Sequence, residues 1–298
     1  MNYSVFAILP FLISAAVIPL LIFYSKKKKL LDYSDGDNLK IHKLPTSFLG
    51  GLAMFSAAAV CLLLLSFFDS RFVLILLACL PVFLLGIYDD LKWKHVAFRK
   101  PYLKFCFLVL SSAVSAIFLY YAGVQFYIFP AMAFLYVFAL INAVNYQDGI
   151  DAQAGILVFI SLLGFSVLSL ISADDFSLKI SFIFAGAVLG FLIYNFPPAK
   201  IFMGDSGAYM LGFALAVLAL IFSQNILSHL FIIGLPLVDG IYTNARRLLK
   251  SKSIFLGDRG HFYDKMIERG FSLRKTILIS ALFQAFFVIT GIILFVYV

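Results

Sequence analysis

Ten apolar runs dominate the chain, near residues 4–24, 48–67, 72–88, 103–121, 127–144, 154–172, 178–194, 206–222, 227–243 and 276–297. A helix needs about 20 largely apolar residues to cross a bilayer, somewhat fewer when its ends can snorkel, and all ten runs meet that test. With 63% hydrophobic and only 13% charged residues in 298, a soluble globular domain is excluded, since such domains carry about 25% charge. Disorder is excluded too, because 35 Phe and 15 Tyr lie far from the low-hydrophobicity regime. The expected fold is an all-α integral membrane protein, a single polytopic domain over 1–298 made of about ten transmembrane helices. Cys61, Cys79 and Cys106 sit inside apolar runs with no pairing or metal-ligand spacing, so they read as small packing residues.

Orientation follows from charge. The first run has no basic residue before it and Lys26, Lys27, Lys28 and Lys29 after it, the reverse of a cleaved signal peptide. A retained first helix with its N-terminus outside puts both termini outside. The segments 25–47, 89–102, 145–153, 195–205 and 244–275 then face the cytoplasm. With Lys104 at a helix entrance they hold 21 of the 23 Lys and Arg, leaving only Arg71 and Lys179 outside. That asymmetry satisfies the positive-inside rule and accounts for the net charge of +8 without nucleic-acid binding. The stretch 244–275 reads as a long charged cytoplasmic loop, able to fold over the mouth of the bundle.

Twelve of the fifteen acids share this face; Asp69, Asp174 and Asp175 do not. Asp89, Asp90, Asp148, Asp151, Asp205 and Asp239 lie at or near the ends of apolar helices. Clustered carboxylates beside a bilayer are costly unless cations neutralise them; solvation of separate helix ends is the plainer alternative. In 142–151 a carboxamide or carboxylate recurs every three residues (Asn142, Asn145, Asp148, Asp151). Neighbours at that spacing sit on adjacent turns, so Asn145 and Asp148 can converge on one ion or ligand, with Gly149 bending or ending the helix. In 195–207 the pair Pro197-Pro198 imposes an extended turn, and Gly204 and Gly207 admit close backbone approach around Asp205. Asp205 fits either a helix N-cap or an oxygen ligand for a hard cation.

Together Asp89-Asp90, Asn142 to Asp151, Asn195 to Gly207 and Asp258-Arg259-Gly260-His261 resemble the polyprenyl-phosphate N-acetylhexosamine-1-phosphate transferases, glycosyltransferase family 4. This family includes bacterial GlcNAc-1-phosphate transferases and the phospho-MurNAc-pentapeptide translocase. The likeness covers about residues 36–275 in order, including Lys43-Leu44-Pro45-Thr46 before Gly50-Gly51, and the block Ile201 to Gly207 is its most specific part.

The resemblance implies a bundle of ten or eleven helices with a cytoplasmic active site in the bacterial inner membrane. Its reaction is attack by polyprenyl (undecaprenyl) phosphate on the sugar-bearing phosphorus of a UDP-N-acetylamino sugar, giving polyprenyl-diphospho-sugar and UMP, the first step of a cell-envelope glycan. Mg²⁺, or Mn²⁺, would be held by Asn145 and Asp205. Lys43, Asp148, Asp151 and Asn195 would contact the nucleotide, and Phe202 would stack on uracil or else simply pack in the core. Asp89 would orient or deprotonate the lipid phosphate, Asp90 would support it, and His261 and Arg259 would meet the sugar or diphosphate. A homodimer is compatible with all of this.

Some features stay open. Arg246 and Arg247 fit substrate phosphate or topology anchoring, with anchoring slightly favoured. Lys100 and Lys104 are equally spaced candidates for the family lysine. His42, His95 and His229 receive no chemistry. Where the family commonly has two or three histidines, this chain has His261-Phe262-Tyr263-Asp264; Ser47 replaces a usual proline and Leu39 a usual basic residue. The missing histidines point away from the MurNAc-pentapeptide branch, and Asp264 would repel an anionic lactyl-peptide donor. The rival classes are a secondary transporter, which would place ionisable groups at mid-membrane in repeated halves, and another membrane phosphotransferase or lipid phosphatase with a compact multi-Asp helix.

Overall fold

Inside a bilayer every backbone N–H and C=O must find a partner within the protein, and the apolar runs meet this as helices. The computed structural model describes residues 3–33, 44–93, 101–124, 132–250 and 259–297. In chain order the elements are α1 (Val5–Lys28), the two-residue strands β1 (Leu31–Asp32) and β2 (Thr46–Ser47), α2 (Gly50–Ser66), and α3 (Arg71–Tyr88) extended by a π-helical turn over Asp89–Trp93. Then come α4 (Pro101–Tyr121), α5 (Met132–Gln147), α6 (Gln153–Ile171), α7 (Asp175–Asn195), α8 (Gly204–Ile221), α9 (Ile226–Ile233), α10 (Leu235–Leu249), α11 (Phe262–Glu268) and α12 (Leu273–Tyr297). The antiparallel β1–β2 pair sets Leu31 opposite Ser47 and Asp32 opposite Thr46, and Ser47 also bridges Ile201.

In the described residues each of the ten apolar runs overlaps helix, but not every one of these helices has the length of a full crossing. Among the described residues seven helices are long and apolar enough to cross a membrane: α1, α3 with its π turn, α4, α6, α7, α8 and α12. An eighth exists if α9 and α10 count as one span, and these two meet at 82°. Helices α2 and α5, with 17 and 16 residues, reach only about 25 Å at 1.5 Å per residue, against a hydrocarbon core of about 30 Å.

The break in the ninth run has a clear cause. Gly234 adopts φ +51 and ψ −115, a conformation that L side chains rarely adopt, and Pro236 follows in the first turn of α10. The freed backbone groups are satisfied by buried Gln284 of α12. Its Oε1 accepts from Leu235 N at 2.8 Å, and its Nε2 donates to Ile232 O and to Ser161 Oγ, both at 2.8 Å. The expected long loop 244–275 also resolves differently: it contains the end of α10, all of α11 and the first turn of α12. Its residues 251–258 lie outside the described ones.

Helix α8 is the central element. Every one of its residues except Asp205 and Ile221 is buried, as expected of a helix apolar on all sides, and it packs on α2, α3 and α5. Lipid-embedded helices associate through close packing rather than hydrophobic burial, so small residues mark their contacts. Thus Gly186 and Gly190 of α7 face the backbone of α1, where a Cβ on Gly190 would lie 2.5 Å from Phe11 O. At the other end of the bundle from α8's N-terminus, Asp69 pairs with Arg71 (2.6 Å), Arg71 covers the Phe176 ring, and Asp174 caps α7 by accepting from Phe176 N at 3.0 Å.

Candidate active site

The C-terminal end of α3, the start of α4, the C-terminal end of α5 and the N-terminus of α8 meet at one end of the bundle. At their junction Lys104 of α4 forms ion pairs with Asp89 and, at 3.3 Å, with Asp205. Asn145 Nδ2 donates to Asp205 Oδ1 at 2.8 Å, and Tyr209, one helical turn beyond Asp205, donates its hydroxyl to Asp89 Oδ2 at 3.1 Å. Two carboxylates, a carboxamide and an ammonium thus share one site. Asp89 is 2% exposed, while the Asp205 side chain is 23% exposed and open to a ligand.

Asp90 has a different task from its neighbour. Its Oδ1 accepts from Asp205 N (2.9 Å), and its Oδ2 accepts from Ser206 N (3.1 Å) and Ser206 Oγ (2.9 Å). It therefore caps the N-terminus of α8 from another helix, where a carboxylate suits both the unpaired N–H groups and the helix dipole. Gly204 makes this approach possible: it has φ +70, and a Cβ there would lie 2.6 Å from Asp90 Oδ2. Asp205 is consequently not the cap; it stands in the first turn of α8 with its carboxylate turned to Lys104 and Asn145.

A second cluster adjoins the first through α5. Three successive residues divide the work: Asn145 faces Asp205, Tyr146 faces the α10–α11 region, and Gln147 Nε2 donates to Asp239 Oδ2 at 2.8 Å. Asp239, on α10 and 3% exposed, also accepts from Phe262 N (2.8 Å), and its Oδ2 lies 2.7 Å from His261 Nδ1. The His261 ring stacks on Tyr263 at 5.5 Å and 10°, and lies 5.4 Å from the Tyr146 ring. Tyr263 donates its hydroxyl to Tyr146 O at 3.1 Å and packs over Gly149, where a Cβ would collide with that hydroxyl. Gly149 is required for this contact and not for ending α5, which stops at Gln147. Asp148 consequently lies just past the helix, its N–H bonded to Asn145 O, rather than on the helical face expected.

Asp264 turns inward and accepts from His261 N at 3.2 Å, capping α11. Burial raises its carboxyl above the usual carboxylate range, and burial likewise pushes the Tyr263 hydroxyl well up. Placed so, Asp264 shapes the loop instead of facing an incoming donor, and the repulsion expected of it has no geometric support. Arg247 also departs from the anchor reading: it is 2% exposed and lies over the Tyr146 ring at 5.3 Å.

The remaining expected residues divide between the site and its scaffold. Asn195 is buried, its Oδ1 accepting from Ala152 N (2.9 Å) and its Nδ2 donating to Ile201 O (2.7 Å), so both ends of the carboxamide tie loops together. Asp151 accepts from Ala199 N at 2.9 Å. Phe202 is half-buried and holds the 47–50 segment through its backbone, with its N–H to Ser47 O (2.7 Å) and its carbonyl from Gly50 N (3.0 Å). Arg259 is exposed. Lys43, Lys100 and Asp258 lie outside the described residues. Sequence reasoning left Lys104 undecided and missed Tyr209, Gln147 and the pairing of Asp239. Spacing from Asp205 to Tyr209, four residues on one helix, was the available signal for the tyrosine.

The residues 72–223 match the family model described as glycosyl transferase family 4. The chain is 28% identical over 274 residues to a Bacillus subtilis protein named "Probable undecaprenyl-phosphate N-acetylglucosaminyl 1-phosphate transferase", covering 86% of this chain and 75% of that protein. It is 28% identical over 287 residues to a Thermotoga maritima undecaprenyl-phosphate alpha-N-acetylglucosaminyl 1-phosphate transferase, covering 94% and 87%. To a phospho-N-acetylmuramoyl-pentapeptide-transferase of Streptococcus pneumoniae it is 31% identical over 254 residues, covering 78% and 76%. A family model spanning just over half of the chain, and relatives aligned along three quarters or more of it, establish that this protein belongs to glycosyl transferase family 4.

Proposed function

We propose that this protein transfers an N-acetylamino-sugar 1-phosphate from a UDP-sugar to undecaprenyl phosphate, forming undecaprenyl-diphospho-sugar and UMP. The observation that carries the reading is the Asp89–Lys104–Asp205–Asn145 cluster, with Asp89 buried and the other three partly exposed, at one end of a membrane bundle of this family. Both reactants are anions, so the reaction needs positioned charge more than covalent chemistry. An oxygen of the lipid phosphate bonds to the sugar-bearing phosphorus while the bond from that phosphorus to the UMP oxygen breaks, its electron pair leaving with UMP. Asp89 would orient the lipid phosphate or take its proton, with Lys104 offsetting the charge of the assembly. Asp90 contributes by holding Asp205 and the start of α8 in place.

Asp205 and Asn145 would hold Mg²⁺ or Mn²⁺. Their oxygens suit a hard cation, with the Asn145 carboxamide turning to present Oδ1. Among the described residues no three His, Cys, Asp or Glu are grouped so that they could hold a metal ion by themselves, and Mg²⁺ commonly takes one or two carboxylates with water and phosphate oxygens completing its shell. When bound, the ion neutralises the diphosphate. Asp148 and Phe202 would meet the nucleotide, beside a loop shaped by Asn195 and Asp151. His261 would meet the sugar diphosphate.

The lopsided basic residues support a site at the cytoplasmic face of the bacterial inner membrane, with α2, α5 and the bent α9–α10 pair completing ten crossings. Relatives covering 86% and 94% of this chain carry N-acetylglucosaminyl names, which favours a compact amino sugar over a MurNAc-pentapeptide. The purified protein should release UMP from UDP-GlcNAc only when undecaprenyl phosphate is present. Absence of UMP with every UDP-amino sugar would overturn the reaction; preference for UDP-MurNAc-pentapeptide would overturn the choice of donor.

A further inference from the structure

We propose that Asp239 is a positioning residue that fixes His261 with its Nδ1–H turned toward α10 and leaves Nε2 as the nitrogen offered to the donor's diphosphate. The proposal rests on the reading of His261 as part of the reaction. Its physical basis is the surroundings of the Asp239 carboxylate. Gln147 Nε2 and Phe262 N both donate to it at 2.8 Å, and His261 Nδ1 stands 2.7 Å from its Oδ2, in a place where the side chain is almost wholly buried. An ionised carboxylate can only accept, so the imidazole must present Nδ1 as a donor. The unprotonated position of a neutral ring is then Nε2.

Ring orientation is constrained as well as tautomer. Tyr263 stacks on the imidazole and Tyr146 lies beside it, while Thr243 Oγ1 stands 3.2 Å from Nδ1. Asp239 also anchors Phe262 N, so one carboxylate places the ring and the first turn of the short helix behind it. The bend at Gly234 is what brings Asp239 here: α10 leaves α9 at 82°, and Gln284 secures that turn. A straight ninth helix would follow another course, so the placement of His261 depends on this bend.

Asp239→Asn separates positioning from structure, because the rest of the pocket can satisfy the new side chain. The buried Gln147 Oε1 has no hydrogen-bond partner. Turning that carboxamide lets it accept from Asn Nδ2, while Asn Oδ1 keeps the bond from Phe262 N. The same Nδ2 then faces His261 Nδ1 as a donor and forces the proton onto Nε2. We expect a variant with near-native thermal stability, reversed tautomer, kcat reduced by about 100-fold and KM for the UDP-sugar changed by less than about threefold.

The tautomer is read by ¹⁵N NMR of histidine-labelled protein at about pH 9, above the ordinary imidazole range. The chain has four histidines, and the signal is assigned by its loss in His261→Gln. A native ring protonated on Nε2, or native kcat in Asp239→Asn despite a reversed tautomer, overturns the proposal. If His261→Ala keeps native turnover, the participation of His261 fails and the proposal falls with it. If His261→Ala is inactive and Asp239→Asn is not, only the role of Asp239 is lost.

Discussion

At the scale of single residues, adjacent and identical side chains do different work. Asp89 and Asp90 are neighbours in sequence, yet Asp89 meets Lys104 and Tyr209 while Asp90 caps α8. No pattern in the chain separates them, because the difference arises from which helix each meets across the bundle. Asp205→Asn keeps the shape but removes a charge that a bound divalent ion and Lys104 would both use. UMP release should fall about 100-fold or more, and near-native turnover at low Mg²⁺ would make Asp205 a mere element of packing. Asp264 supplies a prediction of the opposite kind. Its carboxyl is raised by burial, so its contribution to stability is present below the unfolded carboxylate value, about 4, and lost as pH rises through the folded value. Asp264→Asn keeps an acceptor for His261 N without the buried charge. Scanning Tm from about pH 4 to about pH 7.5 should show a variant at least as stable as the native protein near neutrality; a clear loss there would mean that the charged bond outweighs its burial.

The most informative element is the break between α9 and α10. Hydropathy reads 227–243 as one span, since Gly234 and Pro236 interrupt it without lowering its apolar character. The chain turns instead, because Gln284, fifty residues later, supplies both a donor and an acceptor at the break. Gln284→Leu would leave Leu235 N and Ile232 O unpaired in an apolar setting, at about 1–3 kcal/mol for each group. A fall in Tm of several degrees together with weakened UMP release is expected from thermal unfolding and turnover measured in the same detergent. A stable, fully active variant would show that Gly234 alone sustains the turn. Helix α11 teaches the same lesson from its own side: Phe262, Tyr263 and Asp264 replace histidines of the family pattern, yet Tyr263 and Asp264 serve to dock and cap the helix.

For the whole molecule, the clusters around Asp205 and Asp239 lie at one end of the bundle and the Asp69–Arg71 pair at the other. The proposed function puts the first end at the cytoplasm on the strength of the basic-residue asymmetry. Labelling tests this directly in a Cys106→Ser background, where Cys61 and Cys79 are buried. A cysteine at exposed Lys200 should react with impermeant reagent only in inverted vesicles, and one at Phe68, 87% exposed, only in intact cells. The reverse pattern would invert the topology.

The amino-acid sequence by itself determined the membrane class, the approximate position of the apolar helices apart from the α9–α10 break, and the pool of polar residues from which a site can be built. Those properties are local: a run of apolar residues becomes helix in lipid whatever its neighbours, and charged residues collect at the run ends because burying them alone is costly. Tertiary structure alone decided that Lys104 bridges Asp89 and Asp205, that Asp90 is a cap, that Asn195 is spent on two loops, and that α10 turns to bring Asp239 under His261. Each of these depends on a contact between residues distant in sequence. In a bundle whose helices are uniformly apolar, which helix packs beside which is settled by glycine clearances and a few buried hydrogen bonds that hydropathy does not register.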